Sequence, residues 1–154
     1  MSARIRRLNA DYELVRRVFE NHPYIRLVST EGTPPEKYTF AIQVEGLMPE
    51  GDDSFRPSAV HHAQVFLPID YPRRPPFCRM ITPVFHPNID PQKICIGDHW
   101  SAGQSLAQMI VHIAAMICYQ SYNLKSPLNA KAAAWAEQHL ETLPLQKTDL
   151  SVGL

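Results

Sequence analysis

The sequence predicts an α+β domain in which helices pack against an antiparallel sheet. Three observations carry this prediction: an amphipathic helical pattern at the start, four β-branched and aromatic segments after it, and helical patterns in the last third. The 154 residues are 45% hydrophobic, which suits one core and leaves little room for a second. We therefore expect one domain over residues 1–154, with a loose tail over residues 145–154.

The first helix is predicted from apolar residues at three- and four-residue spacing, and it ends near Pro23. Four strands should follow as a meander, because clusters of Gly, Pro and Asp separate four segments with strand composition. The predicted strands cover residues 25–29, 38–47, 60–69 and 77–82.

The regular pattern is lost from Thr82 to Gly103, a stretch longer than most connections within a compact domain. Loops of this length usually carry function. Apolar periodicity then predicts a second helix over 106–117 with Ser105 as its cap. Asn129 caps a third predicted helix, which is rich in alanine and reaches about residue 140.

The composition excludes several classes of function. Fifteen basic and fifteen acidic residues cancel, so no overall field attracts nucleic acid or an anionic membrane. The chain has neither an apolar signal segment at its start nor about 18 consecutive apolar residues, so we expect a cytoplasmic protein. The three cysteines lack CxxC spacing, which predicts free thiols and argues against a disulfide framework or a zinc ribbon.

The most informative motifs lie between residues 71 and 129. In order, they are Tyr71-Pro72 with Pro75-Pro76, His86-Pro87-Asn88, Ile94-Cys95, Trp100, and Ser126-Pro127-Leu128-Asn129. Each motif is weak evidence alone, but five in this order resemble the ubiquitin-conjugating (E2, or UBC) enzymes over roughly residues 5–140. The resemblance implies the UBC fold, with its four-stranded meander between an N-terminal helix and C-terminal helices.

The resemblance also implies an activity. An E2 enzyme accepts ubiquitin or a ubiquitin-like modifier from an activating (E1) enzyme as a cysteine thioester, and passes it to a lysine amine of a target protein. The E1 enzyme consumes the ATP, so we expect no cofactor here, and the sequence has no Gly-rich phosphate loop.

Cys95 is the predicted nucleophile, because a cysteine on an irregular loop can be exposed, and a thiolate both attacks and leaves readily. Without the neighbouring motif, a buried structural thiol would be the ordinary interpretation. Asn88 is the candidate amide donor to the tetrahedral oxyanion, although a turn asparagine also pins loops by hydrogen bonds. By resemblance His86 orders the loop, whereas from the residues alone a His near a Cys indicates a protease dyad or metal ligands. Cys78 and Cys118 are predicted to be structural.

The accepting lysine must lose a proton before it can attack, since at a pKa of about 10.4 only about one lysine side chain in 2,500 is neutral at pH 7. A neighbouring group must therefore lower this pKa or accept the proton. Many E2 enzymes place an acidic residue where this chain has Ser126. Asp90 is the nearest alternative acid, and a solvated turn residue is an equally good interpretation of it.

The remaining predicted residues concern partners. The first helix has a basic face that includes Arg6 and Arg7, and the corresponding E2 helix docks on the E1 enzyme; an ordinary solvated face is the alternative. The loops with Pro75-Pro76 and Trp100 resemble those that meet E3 ligases, but Ala102 stands where a proline is common, which leaves use of a ligase open.

Other departures point to a divergent member, with compact bacterial or archaeal E2-like proteins as one group to consider. The Asn88 to Cys95 interval is one residue shorter than the commonest pattern, and the Cys95 to Trp100 interval is also short. Residues 46–58 do not match the usual hairpin after the second strand, and the chain ends before the last helix of the family.

Two alternatives stay open from the sequence. One is a non-catalytic E2-variant or RWD-type binding module, which Cys95 in its motif argues against. The other is a metal site formed by Cys78, His86, Cys95 and His99, whose spacing matches no familiar zinc pattern.

Overall fold

The computed structural model describes residues 1–97 and 99–154. The helices are α1 (Ala3–Phe19), α2 (Leu106–Ile117) and α3 (Ala130–Gln138), followed by a short 3-10 helix, Leu140–Thr142. The strands are β1 (Ile25–Gly32), β2 (Pro35–Ile42), β3 (Gly46–Glu50), β4 (Ser54–Ser58), β5 (His61–Phe66), β6 (Phe77–Met80), β7 (Ile89–Asp90) and β8 (Lys93–Ile94). No helix in these ranges is long and apolar enough to cross a membrane.

Six strands form one antiparallel sheet in the order β1-β2-β5-β6-β8-β7. The predicted meander is confirmed, with β1, β2, β5 and β6 as its strands. The predicted second strand was placed too late, because the chain leaves the sheet after Ile42. Two short strands, β7 and β8, extend the sheet into the loop predicted to be irregular. The rest of that loop is irregular where the structure describes it, and Asp98 lies outside the described residues.

A hairpin of β3 and β4 lies between the second and third strands of the meander, although its sequence did not suggest one. Met48 pairs with Arg56 at its centre. Pro49 and Pro57 obscured the pattern, but both strands of a two-stranded unit are edges, where proline is tolerated. At its base, a β-carbon on Gly46 would lie 2.8 Å from the His61 ring, so the close approach requires glycine.

The core lies between the sheet and helices α1 and α2. Ser2 caps α1 by accepting the Ile5 N–H, and Leu8 and Val15 of this helix are fully buried. Ser105 begins α2, as predicted, through a capping box in which its hydroxyl and the Gln108 amide satisfy each other's backbone N–H. The burial of nine α2 residues fixes this helix across the sheet.

A smaller apolar cluster joins the β3-β4 hairpin to α3, which Asn129 caps as predicted. Its members include Phe55, Phe85, Tyr119 and Trp135. This cluster fixes the position of the chain that leads into His86.

The prediction of a loose tail is wrong. Leu150 is 2% exposed and belongs to the main core. The Gln120 amide donates to the carbonyls of Gln146 and Thr148, at 2.9 and 2.8 Å, and His22 Nε2 lies 2.9 Å from the Leu150 carbonyl. The polar composition of residues 145–154 suggested a loose tail, but the burial of Leu150 and hydrogen bonds to three backbone carbonyls hold this segment in place.

Candidate active site

Cys95 follows directly after β8, which pairs with β7 to form a short hairpin. Ile89 pairs with Ile94, and the Cys95 N–H donates to the Asn88 carbonyl at 2.9 Å. Cys95 is partly exposed and lines a cleft of about 400 Å³. Cys95 is therefore partly open to solvent at the cleft, and its backbone is held against Asn88.

The other two cysteines have a different environment. Cys78 in β6 and Cys118 at the end of α2 are buried. Burial raises the pKa of the Cys78 thiol to about 12 and that of Cys118 to about 11. Both therefore remain thiols near neutral pH and are poor nucleophiles.

His86 is fully buried, and both of its ring nitrogens are engaged. Its Nδ1 accepts the Asn88 N–H at 2.9 Å, so its Nε2 carries the hydrogen that is donated to the Ser121 carbonyl at 3.0 Å. Burial also lowers the pKa of His86 to about 4. A neutral ring with both nitrogens occupied can order the loop but has no free position for a proton.

The Asn88 side chain joins the Cys95 turn to the segment after α2. Its Oδ1 accepts the Asn123 N–H at 2.8 Å, and its Nδ2 donates to the Asn123 carbonyl at 3.0 Å. Because an amide nitrogen carries two hydrogens, one donor remains for a further acceptor. The two bonds to Asn123 are the loop bracing predicted for Asn88, and Asn88 lines the same cleft as Cys95.

The structure separates the two candidates for lysine activation. Ser126 is exposed and lines the Cys95 cleft. Asp90 is exposed in β7 and lines another depression, which Phe55, Lys131 and Trp135 also line. Of these two residues, Ser126 shares the cleft with Cys95 and Asp90 does not line it.

Two histidines that the motifs did not single out also line this cleft. The rings of His99 and His112 pack against each other with centroids 4.1 Å apart and their planes tilted by 38°. Burial, and then the proximity of His99, lowers the pKa of His112 to about 4. The sequence did contain a signal, because His112 is the one ionisable residue of α2 and lies among apolar neighbours.

The alternative metal site does not assemble. In the described part of the chain, no three His, Cys, Asp or Glu side chains are placed to hold a metal ion. The two hydrogen bonds of His86 leave it without a free nitrogen for coordination, and Cys78 lies in the core.

The two predicted partner arginines of α1 differ in exposure. Arg6 is exposed and donates to the Met1 carbonyl. Arg7 instead turns inward: its guanidinium donates to Asp11 at 2.8 Å, to the Tyr71 hydroxyl at 3.0 Å, and to the carbonyls of Ala102 and Gln104. The prediction that Arg7 presents its charge to a partner is corrected by these four bonds.

The two predicted ligase loops lie side by side. Trp100 Nε1 donates to the Pro72 carbonyl at 2.9 Å, and its ring packs 5.5 Å from that of Tyr71. Pro75 is exposed, whereas Pro76 is buried. The pair of loops can present Pro75 and part of Trp100 to a partner.

The family model for the ubiquitin-conjugating enzymes matches residues 20–145, which include the meander, the Cys95 turn and all of α2 and α3. The chain belongs to the ubiquitin-conjugating enzyme family.

Relatives in this family are similar over part of their length. Ubiquitin-conjugating enzyme E2 N of Drosophila melanogaster is 33% identical over 97 residues, which cover 60% of this chain and 63% of that protein. Ubiquitin-conjugating enzyme E2 13 of Schizosaccharomyces pombe is 31% identical over 87 residues, covering 53% and 57%.

The fold comparison extends further along the chain than these sequence matches. A crystal structure described as that of a ubiquitin conjugating enzyme from Plasmodium yoelii superposes with a TM-score of 0.63 over 92% of this chain and 88% of that one, at 20% identity. The predicted UBC fold is therefore confirmed.

Proposed function

We propose that this chain accepts ubiquitin or a ubiquitin-like protein as a thioester on Cys95 and transfers it to a lysine amine. The observation that carries the proposal is that the cysteine of the family motif is accessible in a cleft, whereas Cys78 and Cys118 are buried. A binding module without chemistry has no need for this difference between thiols.

The first step exchanges one thioester for another. The Cys95 thiolate attacks the thioester carbonyl on the activating enzyme, and the thiolate of that enzyme leaves as the new C–S bond forms. Because Cys95 lies at the partly open cleft and not beneath the sheet, a macromolecular donor can approach it.

The second step creates negative charge on the carbonyl oxygen of the modifier. The remaining Nδ2 hydrogen of Asn88 is the proposed donor to this oxyanion. The two bonds to Asn123 hold the amide in place before the reaction, so little reorganisation is needed when the charge develops.

Ubiquitin bearing an exchangeable thioester at its C-terminal carboxyl tests the proposal without knowledge of the natural donor. The wild-type chain should form an adduct that added thiol releases. Cys95→Ala should form none, whereas Cys78→Ala and Cys118→Ala should keep it.

The same three variants decide between an enzyme and a scaffold. Loss of the adduct in a folded Cys78→Ala or Cys118→Ala chain, or its survival in Cys95→Ala, would overturn the assignment of Cys95. An unreactive wild-type chain would favour the non-catalytic E2-variant alternative.

A further inference from the structure

The pair formed by His99 and His112 occupies the wall of the Cys95 cleft. His99 lies on the exposed loop after Cys95, and His112 projects from the middle of α2. Two ring centroids 4.1 Å apart place one imidazole against the other. The pair therefore links the loop after Cys95 to helix α2.

The state of His112 is unusual for a buried polar group. Its Nε2 is buried without a hydrogen-bond partner in the described residues. Most buried polar atoms are satisfied, and exceptions often coincide with function. Neither core packing nor helix stability accounts for a histidine in this place, where an apolar residue would continue the α2 pattern.

The two rings cannot easily be charged together, because like charges at this separation repel. Charge on His112 also requires the desolvation of a half-buried ring, whereas His99 is open to water. His99 is therefore the ring of the pair that an incoming amine can reach, with the His112 ring behind it.

We propose that His99 is the catalytic proton acceptor for the amine that attacks the Cys95 thioester, and that His112 is the positioning residue that holds the His99 ring. This inference rests on the proposed function of Cys95. It supplies the proton acceptor that this site otherwise lacks.

The discharge step moves the acyl group from sulfur to nitrogen. The neutral lysine nitrogen forms a bond to the thioester carbonyl carbon, and the carbonyl π pair moves to oxygen. The nitrogen, now positively charged, gives one proton to a ring nitrogen of His99. The oxyanion then re-forms the carbonyl, and the C–S bond breaks with its electron pair on Cys95 Sγ. His99 afterwards releases its proton to water or to this thiolate.

Other groups near the cleft do not provide this function. Both His86 nitrogens are in hydrogen bonds, and His86 lies near enough to His112 for charge on one to oppose charge on the other. Ser126 has a hydroxyl, which is a weak base, and Asp90 lines another depression. Besides the histidine pair, the titratable groups among the described lining residues are Cys95 and Tyr122.

The test measures single-turnover discharge from chains preloaded with ubiquitin through its exchangeable thioester. His99→Gln should load within about twofold of the wild-type rate but discharge to free lysine roughly 100-fold more slowly. Because His99 is exposed, this variant should keep the wild-type melting temperature.

Two further measurements separate proton transfer from a structural effect. Added imidazole should restore lysine discharge to His99→Ala, since it supplies the missing base. Discharge to hydroxylamine, a less basic amine that needs little help with its proton, should differ by less than about threefold between His99→Gln and wild type.

His112 is tested by a conservative pair. His112→Ala should slow lysine discharge about 10-fold without rescue by imidazole, because the His99 ring is present but misplaced. His112→Phe keeps a ring that can pack against His99 and should restore most of the rate.

The outcomes are distinguishable from those of the parent proposal. The histidine role would be overturned if a loaded His99→Gln chain discharged at the wild-type rate, or if imidazole accelerated wild type and His99→Ala equally. Either result would leave the proposed Cys95 thioester unaffected. Failure of the wild-type chain to load would overturn both.

Discussion

Helix α2 contacts two polar clusters along its length, and the two clusters differ in how completely their hydrogen bonds are made. At its start, the buried Asp11 carboxylate accepts from Tyr71 at 2.5 Å, from Arg7 at 2.8 Å and from the Leu106 N–H at 3.0 Å. Towards its other end lies the Cys95 cleft, where His112 Nε2 has no partner in the described residues.

This difference separates a structural polar site from a chemical one. A saturated cluster stabilises one arrangement and has no group free to react. At the Asp11 cluster, burial and the neighbouring carboxylate raise the pKa of the Tyr71 hydroxyl, so it remains a donor. Incomplete hydrogen bonding in the cleft leaves groups that can bind a substrate or carry a proton.

The largest expected effect is at the saturated cluster. Asp11→Ala leaves the Leu106 N–H unpaired and takes the carboxylate from Arg7, and should lower the free energy of unfolding by about 3 to 5 kcal/mol. Urea titration measures this loss, and Asp90→Ala, at an exposed carboxylate, should stay within about 0.5 kcal/mol. Asp11→Ala chains that remain folded should still load Cys95, and loss of loading there would break the comparison.

A loss of rate should come next, at Asn88. Asn88→Ala should still load Cys95 but discharge to lysine roughly 100- to 1,000-fold more slowly, because one oxyanion donor is removed. Single-turnover discharge, loading rate and melting temperature are measured together. Equal losses of the loading and discharge rates, together with a lower melting temperature, would show that Asn88 only braces the loop. Asn88 would then be a structural polar residue, as Asp11 is.

The smallest effect distinguishes two neighbouring arginines. Arg6→Glu should change stability by less than about 0.5 kcal/mol. If the exposed face of α1 docks on the activating enzyme, Arg6→Glu should slow the loading of Cys95 by that enzyme. The effect should be largest at low salt, where exposed charges are least screened. Arg7→Glu, which disrupts the Asp11 cluster, should instead lose stability at every salt concentration. Salt-independent loading in Arg6→Glu would return this face to a solvated surface.

Local patterns were sufficient for much of the fold. Apolar periodicity and capping residues predicted all three helices, and composition predicted the four strands of the meander. The hairpin was missed because its prolines contradict an ordinary strand, and the docking of the tail was missed because Leu150 is its single deeply buried residue.

The arrangement of the site was less accessible, since it depends on pairs far apart in the chain. The motif placed Cys95 and Asn88, but nothing local indicates that Asn88 binds the backbone of Asn123 or that His112 lies against His99. Tyr119 shows the same limit. It has a φ of 63°, where glycine is usual, and its hydroxyl donates to the Phe85 carbonyl at 2.6 Å.

The distribution of aromatic residues gives the molecule two separate optical reporters. The chain has two tryptophans, of which Trp100 packs against Tyr71 beside the Asp11 cluster, while Trp135 lies 5.3 Å from Phe55 in the cluster that joins the hairpin to α3. Replacement of either one by phenylalanine leaves a single indole whose emission follows one region. Fluorescence can therefore show whether a ligase-type partner disturbs the paired loops or the hairpin, without any added label.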